Sequence, residues 1–231
     1  MIKDKELGNI TFERSLRARQ ILIKILPDEL KIILPKGSTE NDGVQFLESV
    51  REKLIQRQSK IQHKKILITD TDPLRTLTFT VRVQKAERKD IYSTLKQGEL
   101  QIQYPDFLDC NTQQTQHYFW NSINYFLRNE AKRILPQRVT ELARPFGFRF
   151  TDVKIQSSKT RWGSCNSKRN INLSFYLLLL PQELIDYVIL HELCHTVELN
   201  HGEKFWRLMD LVTDNKSKIL REKMKSYSMP K

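Results

Sequence analysis

The run V-I-L-H-E-L-C-H-T-V-E-L-N-H at residues 188–201 constrains this chain more than any other, because it sets ionisable groups inside a strongly apolar helical stretch. Histidine and glutamate are costly to bury without partners. Leu190, Leu193, Cys194 and Val197 make the helix apolar nearly all round, so the polar trio His191, Glu192 and His195 needs compensation. Three of the chain's five histidines fall within eleven residues here, which speaks against a core helix whose imidazoles merely bond backbone carbonyls.

H-E-x-x-H has a direct physical reading on a helix. Residues four apart are offset by about 40° around the axis and about 6 Å along it, so His191 and His195 can reach one zinc ion from the same face. Glu192 then flanks the ion, placed to take a proton from a zinc-bound water whose pKa the metal lowers to about 7. A catalytic zinc keeps three protein ligands and one open position, so a third ligand is required. Two residues compete for it. His201 lies six after His195, the interval of the longer H-E-x-x-H-x-x-G-x-x-H pattern, although Glu198 stands at the glycine position. Asn200 tolerates the left-handed conformation and Gly202 follows, so the helix is expected to end at Leu199 or Asn200 and fold His201 back toward the metal. Glu198, seven after His191, is the second candidate, as a ligand or as a group orienting a ligand imidazole. The spacing favours His201.

Other readings near the motif are quieter. Cys194 points away from the histidine pair and is expected to pack, while Cys165 is expected to be reduced and partly buried. Phe205 and Trp206 are expected to lock the metal-binding turn into the core. Trp162 is read as a core anchor, against the alternative that its loop leads into an edge strand pairing with extended substrate. Arg161, Tyr176 and Tyr187 are candidates for stabilising transition-state charge, by proximity in sequence alone.

Along the rest of the chain, residues 11–36 read as a basic β-hairpin around a Pro27-Asp28-Glu29 turn. A helix over about 40–60 follows, capped from the Ser38-Thr39-Glu40 cluster. Strict alternation at 77–83 and a shorter run at 100–104, after a Lys96-Gln97-Gly98 turn, read as strands. Residues 105–116 form a polar connector to a helix that Pro136 ends or kinks, with helical character resuming through Leu142. Phe146 to Ile155 and Asn170 to Phe175 read as strands, and Pro181 opens the long helix that carries the motif. The tail from Lys216 to Tyr227, with five basic residues, reads as a surface helix with a solvated face.

Composition narrows the function classes. The chain has 231 residues and a net charge of +12, with 20 basic and 16 acidic residues in 1–112 against 19 and 11 in 113–231. The excess leans toward the C-terminal part and favours polyanions or acidic substrates as partners. No Walker loop, RNP motif or zinc-finger spacing accompanies it. The longest apolar run, Phe175 to Leu180, is far short of the roughly 20 residues of a spanning helix, so no membrane partner is expected. Three cysteines without a C-x-x-C pair and a polar N-terminus point to a reducing cytoplasm.

Several blocks of the chain resemble the YgjP-like metallopeptidases, relatives of the SprT and WLM zinc peptidases. They are the opening R-S-L-R-A-R-Q-I-L-I-K-I-L-P-D-E-L-K-I-I-L-P-K-G, the R-W-G-S-C run at Arg161–Cys165, and I-N-L at Ile171–Leu173. I-D-Y-V-I-L-H-E-L-C-H-T and N-H-G-E-K-F-W at Asn200–Trp206 follow in order. The resemblance implies His191, His195 and His201 as zinc ligands and Glu192 as catalytic base. Residues 62–110 match less clearly, and nothing catalytic is assigned there. The expected fold is α+β: a β-rich N-terminal part with one helix over 1–112, packed on a zincin-like helical C-terminal core over 113–231 with a small antiparallel sheet.

Three functions are weighed. The first is a zinc-dependent peptidase acting on a peptide or protein substrate. A zinc-dependent phosphohydrolase of nucleotides is the second, since the same activated water can attack phosphorus, although seven glycines are few for a phosphate-cradling loop. The third is a non-catalytic zinc module that associates with nucleic acid through the basic surface. Glu192 beside the histidine pair argues against the third, because structural sites usually close with a fourth Cys or His.

Overall fold

The computed structural model describes residues 2–4, 6–25, 29–55 and 66–230. It divides into two compact units, Met1–Lys65 and Ile66–Lys231.

In the first unit, β1 (Ile2–Asp4), β2 (Gly8–Arg14), β3 (Leu22–Ile25) and β4 (Glu29–Leu34) form one sheet in the order β1-β2-β4-β3. The expected hairpin is β3 with β4, antiparallel with Ile23 opposite Ile32, and its turn at 26–28 lies outside the described residues. Residues 11–14 belong instead to β2, which runs parallel to β4. Alternation along β4 buries Leu30, Ile32 and Leu34, and helix α1 (Glu40–Ser49) lays Leu47 and Gly43 on them. A β-carbon on Gly43 would lie 3.0–3.2 Å from Leu34, Phe12 and Ile32, so this close approach leaves no room for a side chain. Thr39 caps α1 as expected: its hydroxyl accepts from the Asp42 N–H while the Asp42 carboxylate accepts from the Thr39 N–H. Residues 51–55 are helical too, and 56–60, the rest of the expected helix, lie outside the described residues.

The second unit begins earlier than the 112/113 boundary expected from sequence. β5 (Leu74–Arg75), β6 (Thr80–Ala86), β7 (Tyr92–Lys96) and β8 (Glu99–Pro105) form a sheet whose inward side chains Val81, Val83, Leu100, Ile102 and Tyr104 share one core with helix α2 (Gln113–Ala143). Gln116 of α2 ties the segment down by donating to the Ile68 and Cys110 carbonyls and accepting from the Ile68 N–H. Tyr104 meets Phe119 edge to face with centroids 5.1 Å apart. A polar connector in sequence is thus no boundary in space, because the strands before it have no other core. Pro136 sits inside α2 without ending it.

Beyond α2, β9 (Asp152–Gln156), β10 (Gly163–Cys165) and β11 (Asn170–Ser174) form a three-stranded sheet in the order β10-β11-β9. The sheet is mixed, rather than antiparallel as expected: β10 and β11 make an antiparallel hairpin, but β11 runs parallel to β9. Loop 157–162 carries the chain past the central position to the outer edge, and the hairpin brings β11 back beside β9. A 3-10 turn (Phe175–Leu179) then leads into helix α3 (Gln182–Cys194), followed by α4 (Glu203–Val212) and α5 (Ser217–Met224). Arg138 of α2 grips Asp186 of α3 with two parallel bonds of 2.8 and 2.7 Å, so the motif helix is anchored on its polar side as well as by Leu184, Ile185 and Ile189.

Candidate metal centre

The polar trio sits at the C-terminal end of α3, where the helix stops sooner than expected. Cys194 is its last residue and His195 its C-cap, five residues before the expected end near Asn200. The chain then tightens: the Thr196 N–H reaches the Leu193 carbonyl, Val197 and Glu198 both donate to Cys194, and the Thr196 hydroxyl donates to Leu193 at 2.7 Å. Asn200 is not left-handed. The reversal is instead a three-residue turn closed by Gly202 N–H to Asn200 C=O at 2.8 Å, with His201 at its centre.

This turn brings His201 onto the helix pair. Its Nε2 lies 3.0 Å from Nε2 of His191 and 3.1 Å from Nε2 of His195. One nitrogen from each residue falls within 4.8 Å of the other two. Tetrahedral zinc with nitrogens at 2.0–2.1 Å sets neighbouring ligand atoms about 3.3 Å apart, so the spacing suits such an ion. The Glu198 carbonyl can only accept, so Nδ1 of His195 donates to it at 3.0 Å, which holds the ring with Nε2 toward the other two imidazoles. Burial, then the neighbouring imidazoles and Arg221, lower His191 to about 3. Burial likewise lowers His201. Three imidazole nitrogens facing one point are an arrangement that a cation relieves. Glu198 therefore bears on the cluster through its carbonyl, orienting His195, and its carboxylate is not one of the converging groups.

Phe205 holds the cluster from below. Its fully buried ring lies 4.6 Å from that of His195, 4.7 Å from His201 and 4.9 Å from His191, and Trp206 stacks near His201 at 6.0 Å. The two aromatics touch the imidazoles themselves, which goes further than locking the turn.

Glu192 is 5% exposed, and its Oε2 has no hydrogen-bond partner among the described residues. Burial raises it to about 8, against an opposing pull from Arg161. Its carboxyl lies directly against β10. A β-carbon on Gly163 would stand 2.7 Å from Glu192 Cγ and Oε1 and 2.9 Å from Cδ. Gly163 has an ordinary backbone conformation, so the glycine is there for space. Sequence reasoning singled out the R-W-G-S-C run without tying it to Glu192, because only the hairpin brings Gly163 onto α3.

The remaining candidates separate. Trp162 packs half-buried on the core, and its carbonyl accepts from the Ser174 N–H at 2.9 Å. Cys165 is a free thiol raised to about 11 by burial and by the Glu192 charge, and Cys194 is buried, free and raised to about 12 by burial. Tyr176 turns to Asn124 and Arg128 of α2. Tyr187 is buried with its ring 6.3 Å from His191, and Arg161 is exposed with its charge acting on Glu192. Sequence reasoning missed Arg221, whose guanidinium lies over the Trp206 ring at 4.7 Å.

The chain is a member of the YgjP-like family, whose metallopeptidase domain it matches over residues 19–227. Two solved structures are similar to parts of it. The metallopeptidase zymogen abylysin of Pyrococcus abyssi is 21% identical over 42% of this chain and 98% of its own, with a TM-score of 0.38. The metallopeptidase zymogen jannalysin of Methanocaldococcus jannaschii is 24% identical over 39% and 92%, with a TM-score of 0.35. No curated protein matches the chain. Among the described residues no helix is long and apolar enough to cross a membrane.

Proposed function

We propose that this chain is a zinc-dependent peptidase in which His191, His195 and His201 hold the metal and Glu192 is the general base acting on a peptide or protein substrate. The observation that carries the reading is the convergence of three imidazole nitrogens beside a buried carboxyl that has an unpartnered oxygen. A bound zinc would supply an acidified water and a Lewis acid for the scissile carbonyl. Glu192 accepts a proton from the attacking water at Oε2 and delivers it to the leaving amide nitrogen. Gly163 leaves the carboxyl room against β10, and Phe205 with the Glu198 carbonyl holds the imidazoles.

The test is a panel of unstructured peptides, nucleotides and a DNA-bound protein, incubated with the metal-loaded and chelator-stripped protein. Peptide-bond cleavage that stops on stripping and returns with zinc is expected. Cleavage that survives complete metal removal contradicts the reading, and turnover confined to the nucleotides replaces it with phosphoester hydrolysis.

A further inference from the structure

We propose that Arg221 forms an anion-binding subsite beside the metal centre and takes a carboxylate of the substrate, from an acidic side chain or from the chain's C-terminus. The proposal rests on the peptidase reading above and names what that site prefers.

Position comes first. The Arg221 guanidinium lies 4.7 Å from the centroid of Trp206, whose ring lies 6.0 Å from His201 and 6.4 Å from His191. One aromatic ring therefore connects the cation to the imidazole cluster.

Pairing comes second. At the end of α5, Lys223 donates to Glu183 at 2.5 Å and Lys225 to Glu222 at 2.6 Å. Arg221 has neither a hydrogen bond nor an ion pair among the described residues, although it is exposed. Lys218 shares that freedom, but it lies over no aromatic ring among the described residues. Arg221 is thus the unpaired cation of α5 that lies against the ring bordering the histidines.

Chemistry comes third. The guanidinium lies over the Trp206 ring and its N–H groups bond nothing among the described residues, so they can meet a carboxylate with two bonds, a bidentate geometry a lysine cannot offer. A peptide held at the metal presents carboxylates at that range from its side chains or its terminus. The contact is solvent-exposed, so its effect is modest, about fivefold in affinity.

The test uses the zinc-loaded full chain and calorimetric binding of three peptide hydroxamates of one sequence: a neutral C-terminal amide, the free C-terminal acid, and an amide carrying one glutamate. One acidic form is expected to bind about fivefold tighter than the neutral one, and which form it is identifies the source of the carboxylate. Arg221→Met is expected to leave the neutral affinity and zinc content unchanged and to abolish the preference, while Arg221→Lys keeps part of it. If Arg221→Met does not fold, Arg221→Gln serves as the second neutral variant. Equal binding of all three forms by the parent chain, or a preference that persists without the guanidinium, overturns the proposal and leaves the peptidase reading standing. Failure of the neutral hydroxamate to bind the zinc-loaded chain overturns the peptidase reading, and this proposal with it.

Discussion

The two units are built from the same materials and differ in what they leave unpaired. In Met1–Lys65 the buried side chains of the described residues are aliphatic, and the one dense charge cluster is closed on itself: Arg51 meets Asp4 and Glu6 at 2.9 and 3.1 Å and Glu48 at 2.9 Å. In Ile66–Lys231 every buried polar or charged residue of the described chain is found, and Glu192, His195 and Thr196 of that set sit together at the end of α3. The first unit leaves one buried hydroxyl, Thr11 Oγ1, without a partner among the described residues; the second leaves a buried carboxyl oxygen of Glu192 unpartnered beside three converging imidazoles, of which His195 is buried. Uncompensated burial costs free energy, so it persists where another species completes it.

Glu192→Gln strikes this contrast hardest. The metal is expected to stay, since Glu192 is not among the converging nitrogens, while peptidase turnover falls by about 10²–10⁴-fold with loss of the general base. The same variant reads the burial cost without metal. The carboxyl is raised to about 8 from an ordinary 4.5, so its contribution to stability is fully present below pH 4.5 and is lost as pH rises through 8. The metal-free variant is therefore expected to melt higher than the metal-free parent at pH 8, by on the order of a few kcal/mol, with the gap closing toward pH 5. A constant gap across that range means the carboxyl is not strained by burial.

Gly163→Ala ranks next. The added methyl must displace the Glu192 carboxyl, and a misplacement of about 1 Å costs up to about 10²-fold. Zinc content and KM are expected to hold while kcat falls; an unchanged kcat removes Gly163 from the site. Thr39→Ala is the smallest change and the control from the other unit. Losing the capping box of α1 should lower stability by about 1 kcal/mol in a urea melt, with zinc content and turnover untouched.

What was legible in the sequence follows the same division. Periodicity and caps located Thr39, the β3–β4 hairpin and the motif helix, because those signals are local. The three histidines were legible through spacing, yet the route that brings His201 back was not: an early helix end and a three-residue turn replace the expected Asn200 stop. Strand partners chosen across long loops were not legible either. They place β5 to β8 in the core of the second unit, make the β9–β11 sheet mixed and lay Gly163 against Glu192. Arg221 was hidden for a similar reason, since a basic surface helix reads as solvated until Trp206 is seen beneath it.

The most direct measurement is elemental analysis of the purified chain beside its His201→Ala variant at neutral pH. One zinc per parent chain and none retained by the variant is the predicted result. A variant that keeps stoichiometric zinc and full activity contradicts the three-imidazole centre and moves the third ligand elsewhere, to Glu198 first.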